Sequence, residues 1–162
     1  MANELQVGAG QIWIPEDSPI RPLWNSTRKL LCPMAKYPNV PLQGLPRPKV
    51  GDVHPSQPWA RIGARVDGSP DVSVNHIVPK VELLYLPRFV ELRPEHIWEV
   101  LQARLNLQWL PTRVSRFAKG ARYAQDMVAV DEVWKLEQVE LQQLKRRELI
   151  EVIAALADSP RS

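Results

Sequence analysis

The sequence predicts a chain of two parts, an extended N-terminal arm followed by a mainly α-helical C-terminal third. Fourteen of the sixteen prolines fall within residues 15–94, whereas residues 112–159 contain none. Each proline fixes φ and removes a backbone donor, so this spacing excludes long helices and regular sheet from the first part. We therefore assign residues 1–93 to an extended arm rich in proline and tryptophan, and residues 94–162 to a helical docking region.

Within the arm, only short stretches between prolines can form regular structure. Residues 7–14 are predicted to form a strand, although we identify no partner strand nearby. Residues 23–31 suffice for one or two helical turns. The stretch 60–78 is the best β candidate, because its central Asp-Gly sequence favours a hairpin turn and the residues that follow alternate in polarity. We therefore predict a short hairpin at 60–78.

Two helical regions are predicted after the arm. Pro94 is suited to the first position of a helix, and apolar residues then recur at helical spacing, which predicts a helix over 94–109. Pro111 ends this helix. Residues 112–157 contain no proline and a single glycine, Gly120. This stretch is predicted to be one long helix, or two helices with a break near Gly120 to Asp126.

Composition is close to that of ordinary globular proteins, with 44% hydrophobic and 24% charged residues. The net charge of +3 is small for a protein that wraps nucleic acid. Cys32 is the single cysteine, which excludes an internal disulfide and points to a reducing, intracellular compartment. No apolar run approaches the ~20 residues of a membrane span. We predict no metal, cofactor or catalytic site.

The most distinctive charge pattern is a run of five cations without an intervening acid. They are Arg104, Arg113, Arg116, Lys119 and Arg122. On one helix, the last four would form a slowly rotating basic ridge. Such a ridge could contact phosphate, either in an RNA backbone or in anionic lipid headgroups. It could equally pair with acidic side chains of a neighbouring subunit.

Six tryptophans are an unusual number for a chain with two phenylalanines and three tyrosines. Trp98 and Trp134 lie on apolar helical stripes, so we expect them in the core. Trp13, Trp24 and Trp59 lie in the arm, where no local core is predicted. Since tryptophan is enriched at interface hot spots, we expect these three to be anchors that dock into neighbouring chains.

Together these patterns favour a non-catalytic structural or accessory subunit of a large multi-protein assembly, whose other subunits order the arm. An enzyme is disfavoured, since no catalytic triad, metal cluster or nucleotide-binding loop is present in the sequence. The best match is a peripheral subunit of a mitochondrial energy-transducing complex at the inner membrane. The alternatives are an organellar ribosomal protein that contacts rRNA through the basic helix, and a virion structural protein.

Overall fold

A mixture of helices and short antiparallel strands makes up the computed structural model, which describes residues 6–8, 11–27, 39–119 and 122–160. The strands are β1 (Gln6–Gly8), β2 (Gln11–Trp13), β3 (Val72–His76) and β4 (Leu107–Pro111). The α-helices are α1 (Arg21–Thr27), α2 (Lys80–Leu83), α3 (Pro94–Leu101) and α4 (Glu132–Ala157). Shorter helical turns are Phe89–Glu91, Arg104–Asn106 and Ala124–Asp126, which are 3₁₀, and the π-helix Val114–Lys119.

The first strand pair corrects one prediction. The stretch 7–14 is not one strand, because it contains β2 and most of β1, which pair with each other in antiparallel register, Val7 opposite Ile12. Ile12 and Ile14 are both buried. The neighbouring helix α1 falls within the predicted stretch 23–31 but begins earlier, at Arg21, and the residues beyond 27 in that prediction lie outside the described part of the chain.

The predicted hairpin at 60–78 is wrong in its partner strand. The turn itself forms: Gly68 has φ +87, and the Arg65 amide donates to the Ser69 carbonyl at 2.7 Å. However, β3 pairs with β4 in antiparallel register, from Val72 opposite Pro111 to His76 opposite Leu107. This pairing buries apolar side chains of both strands, whereas residues 63–68 remain exposed.

The helix predicted over 94–109 is shorter than expected. It begins at Pro94 as predicted but ends at Leu101, and residues 107–111 form β4 instead. Between the two, the buried Asn106 side chain hydrogen-bonds both backbone groups of Val78. Pairing with β3 therefore satisfies backbone groups and buries apolar surface that a continued helix would leave exposed.

The stretch 112–157 is also not one helix, and the break extends to residue 131, beyond the break expected near Gly120 to Asp126. Only residues 132–157 form α4, a helix of 26 residues. Just before it, the Gln57 side chain donates to the Ala129 carbonyl, and the Asp131 amide donates to the Ser56 carbonyl. These bonds hold 129–131 in a non-helical conformation, in which Ala129 adopts φ 55.

The hydrophobic core combines residues from both predicted parts. The first cluster is Ile14, Val78, Leu83, Leu84, Leu86, Phe89, Leu92, Val100, Leu101, Leu149 and Ile153. The second is Leu110, Val114, Ala118, Ala124, Met127, Val130 and Trp134, and the third is Leu42, Ile62, Val72, Leu107 and Trp109. The structure therefore does not show a separate extended arm among the described residues of 1–93. Prolines prevent regular structure there, but they do not prevent burial of the aliphatic side chains between them.

None of the helices in the described residues combines the length and the apolar character needed to cross a bilayer.

Candidate functional site

The three tryptophans predicted as interface anchors have different surroundings. Trp13 is 46% exposed and Trp59 is 63% exposed, so both are available to a partner chain. Trp24 instead packs against the first core cluster, with the Lys80 ammonium 5.6 Å from its ring centre. The prediction that no local core receives the arm tryptophans is therefore wrong for Trp24.

The two tryptophans predicted to lie in the core also differ. Trp134 is buried, whereas Trp98 is on the exposed side of α3. The burial of Trp134 follows its place on the inner face of α4, where it contacts the second cluster.

The five cationic residues predicted to form a basic ridge do not lie together on one exposed surface. Arg104, Arg113 and Arg116 are exposed and Arg122 is half-buried, but Lys119 is only 2% exposed. Arg116 and Lys119 share the π-helix, whereas Arg104 belongs to a 3₁₀ turn. The Arg113 guanidinium is hydrogen-bonded to the Gln57 side chain. The expected arrangement depended on a regular helix from 112 onward, whereas the residues before Lys119 are π-helical.

Lys119 ends the π-helix and extends its side chain against β3. Its Nζ donates to Asn75 Oδ1 at 2.8 Å, to the His76 carbonyl at 2.5 Å and to the Ile77 carbonyl at 2.9 Å. Burial lowers the pKa of this amine to about 7, and the negative charge of Glu82 opposes the shift. A lysine held in this way loses its proton near neutral pH. π-Helical segments are frequently found at functional sites.

A cavity of about 250 Å³ lies beside Lys119. Its lining includes Lys80, Trp24 and His76. Nε2 of His76 lies 2.8 Å from the Leu101 carbonyl, so this nitrogen carries the proton. Burial, with smaller contributions from the charges of Lys80 and Lys119, lowers the pKa of His76 to about 4. The imidazole is therefore neutral at physiological pH.

An ion pair connects the region of this cavity to α4. Glu82 on α2 is buried and accepts two hydrogen bonds of 2.8 Å from Arg146, one to each carboxylate oxygen. The Arg146 guanidinium lies 5.9 Å from the ring centre of Tyr123. Burial and the neighbouring Glu82 raise the pKa of Tyr123 to about 12, so its hydroxyl stays protonated. Both oxygens of the Glu82 carboxylate therefore bind a residue of α4.

A second, larger groove of about 670 Å³ lies between the proline-rich segment 42–55 and α4. Its lining includes Trp109, Trp134 and Arg47, whose guanidinium lies 5.7 Å from the Trp109 ring centre. The Trp109 indole donates to the Val40 carbonyl at 2.8 Å, so its polar edge is already satisfied. The groove is mainly apolar, and the sequence patterns did not reveal it.

The outer face of α4 carries three large aliphatic side chains. Val133 and Leu136 are each 66% exposed, and Leu144 is 42% exposed. At 100° per residue they lie on one side of the helix, opposite the buried residues Trp134 and Gln138. We call Val133, Leu136 and Leu144 the outer stripe of α4.

No set of three or more histidine, cysteine, aspartate or glutamate side chains in the described ranges is arranged to hold a metal ion. No family model, curated protein or solved structure matches this chain.

Proposed function

We propose that this chain is a non-catalytic subunit of a multi-protein assembly and that it binds another protein through the outer stripe of α4. The observation that carries the proposal is the exposure of three large aliphatic side chains on one face of a long helix. Scattered apolar side chains are normal on a protein surface. Several on one helix face, separated by charged and polar residues, are typical of a protein-binding surface.

Two further observations support a protein-binding role. Trp13 and Trp59 remain exposed although both are large and apolar, and tryptophan contributes more than its share to binding energy at interfaces. The outer stripe itself is interrupted by Glu140 and Arg147, which would lie among the aliphatic side chains in a contact with a partner. Charged groups placed among aliphatic side chains require complementary charges on the partner and so make the contact specific.

The finer proposal is a peripheral subunit of a mitochondrial energy-transducing complex. It rests on the same surface features and on the modest net charge of +3. The ribosomal alternative has less support than the sequence suggested, because the burial of Lys119 removes one of its five phosphate contacts.

Variants of the outer stripe test the proposal directly. A tagged chain is expressed in its native cells, and the proteins that co-purify are quantified for the natural chain and for Val133→Asp with Leu136→Asp. Both substitutions lie near the start of α4, where an acidic side chain suits the helix dipole. Recovery of the stoichiometric partners should fall at least tenfold. A matched control is Val66→Asp, a fully exposed valine in a turn away from α4.

The control should retain its partners, and all three proteins should have the same thermal midpoint. Equal recovery from the double variant and the natural chain would contradict binding through the outer stripe. Isolation of the natural chain as a folded monomer, or with RNA alone, would contradict the subunit proposal as a whole.

A further inference from the structure

We propose that the groove between segment 42–55 and α4 binds a small carboxylic acid with an aromatic body, and that Arg47 holds the carboxylate. The groove includes no residue of the outer stripe of α4, so this proposal does not depend on the proposed function. It rests on the state of the Arg47 guanidinium, on the aromatic walls of the groove and on its volume.

The Arg47 guanidinium is a charge without a counter-charge among the described residues. Its Nη1 donates to Asn39 Oδ1 at 3.1 Å, which is a neutral amide oxygen, and it forms no ion pair with the described part of the chain. Its Nε is buried and has no hydrogen-bond partner there. A guanidinium cannot be deprotonated in a protein, so loss of a proton does not relieve this charge. A buried N–H without an acceptor costs free energy, which an oxygen of a ligand would restore.

The contact between Arg47 and Trp109 leaves the guanidinium donors available to a ligand. The guanidinium carbon lies 5.7 Å from the centre of the Trp109 ring. This contact involves the π-electrons of the ring, whereas the N–H groups donate in the plane of the guanidinium. Nε and Nη2 form the edge that binds both oxygens of one carboxylate. Arg47 is partly exposed, and a side-chain rotation of the kind common on binding brings the buried Nε to the ligand.

Two acids also line the groove, and neither forms an ion pair with Arg47. Asp52 accepts a hydrogen bond from the Lys49 amide at 2.9 Å, and Glu137 is exposed on α4. Burial lowers the pKa of His54, so its imidazole is neutral. The charges of Arg47 and Lys49 therefore balance those of the two acids. A carboxylate is thus held by direct contact with Arg47 and not by the overall field of the groove.

The walls of the groove determine the body of the ligand. Trp109, Trp134 and Leu141 line it, and the His54 ring meets Trp134 edge-on with 5.9 Å between the ring centres. The Trp109 indole N–H already donates to the Val40 carbonyl, so this ring offers apolar surface and no polar contact. A volume of about 670 Å³ lies within the range of roughly 300–1,000 Å³ that is usual for small-molecule sites. An aryl ring on the tryptophans, joined by a short link to a carboxylate, satisfies both the walls and Arg47.

The experiment titrates the full chain with phenylacetate, followed by calorimetry and by NMR of the tryptophan indoles. Phenylacetamide has the same shape without the charge, and acetate has the charge without the ring. Phenylacetate should bind saturably at one site, and the other two should bind at least tenfold more weakly, the usual effect of losing one charged contact. The indole signals of Trp109 and Trp134 should shift, whereas that of the exposed Trp13, outside the groove, should not.

Variants of the charged residues then assign the contact. Arg47→Gln should weaken phenylacetate binding about tenfold, and Arg47→Lys should restore only part of the loss, because lysine lacks the planar fork. Glu137→Gln should bind phenylacetate at least as tightly as the natural chain, since it removes a negative charge from the groove. Arg147→Gln, at an exposed arginine of α4 outside the groove, should leave binding unchanged.

Four results would overturn the proposal. They are an absence of saturable phenylacetate binding, equal binding of phenylacetamide, an unchanged affinity in Arg47→Gln, and weaker binding in Glu137→Gln, which would indicate a cationic ligand instead. If Arg47→Gln fails to fold, the comparison of phenylacetate with phenylacetamide on the natural chain decides, together with the indole signals that shift.

Discussion

Buried polar side chains of single residues hydrogen-bond segments that are far apart in the sequence. Lys119 is the clearest case, since one side chain joins the π-helix to three oxygen atoms at the end of β3. Asn106 does the same between β4 and the segment after β3. Such contacts depend on residues far apart in the sequence, so no local pattern predicts them.

The stability of the protein should rise with pH because of Lys119. Burial lowers the pKa of this amine from 10.5 to about 7. Between these values the unfolded chain holds a proton that the folded chain has lost, so the free energy of unfolding increases with pH. From pH 7 to pH 9 the natural chain should gain ~2 kcal/mol relative to Lys119→Met, at about 1.4 kcal/mol per pKa unit.

Urea unfolding of both proteins at the two pH values measures this gain. The charged and titratable groups around Lys119, namely His76, Lys80, Glu82, Tyr123 and Arg146, are the same in both proteins and cancel in the comparison. The exposed Lys49→Met serves as a control and should follow the natural chain. A natural chain that gains no stability relative to Lys119→Met would show that Lys119 stays charged in the folded protein.

Asn106 should be among the most sensitive single positions. It is 0% exposed, its Oδ1 accepts from the Val78 amide at 2.7 Å, and its Nδ2 donates to the Val78 carbonyl at 3.1 Å. Asn106→Ala leaves two buried backbone groups unsatisfied, which should cost ~3 kcal/mol of unfolding free energy. Chemical denaturation measures the loss, with the exposed Asn25→Ala as the comparison. Equal stability of these two variants would contradict the assignment.

At the scale of elements, the start of one helix was predicted correctly, whereas its length was not. Pro94 begins α3 as its position in the sequence indicates, because a proline at the first turn is a local signal. The end of α3 was missed, and the gap before α4 extends beyond the break expected near Gly120 to Asp126, since both depend on contacts with distant segments. Likewise the turn at Gly68 was recognised, but the partner of β3 comes from residues 107–111, which a local alternation pattern cannot reveal.

The start of α4 depends on one capping side chain. Asp131 accepts a hydrogen bond from the Trp134 amide at 3.0 Å. Asp131→Ala should therefore cost about 1 kcal/mol of unfolding free energy, whereas Asp131→Asn should retain most of the stability because asparagine also caps. Thermal or urea unfolding distinguishes the two. A similar loss in both variants would mean that the carboxylate charge, not the cap, is what matters.

The ion pair between Glu82 and Arg146 should couple α2 to α4. Either Glu82→Gln or Arg146→Met alone should destabilise the protein by ~2 kcal/mol, because each leaves a partly buried partner without its counter-charge. The double variant should lose less than the sum, and a double-mutant cycle measures this difference. The exposed Arg147→Met is a control on the next residue. Strict additivity would show that the pair contributes no coupling.

At the scale of the whole molecule, residues from both sides of the division suggested by the prolines pack into one hydrophobic cluster. The first core cluster includes Ile14 and Phe89 from the first part together with Leu149 and Ile153 from α4. Proline spacing is informative about backbone conformation but says little about which side chains are buried. Exposure of Trp13 and Trp59 agrees with their predicted availability to partners, and their role as anchors stays a prediction.

The central claim is that this chain functions within a larger assembly of proteins. The most direct test is the native mass of the particle that contains the tagged chain, measured after gentle isolation from its own cells and combined with quantitative mass spectrometry. We predict a particle much larger than the single chain, with several other proteins at constant stoichiometry. A monodisperse, folded monomer with no stoichiometric partner would contradict the claim.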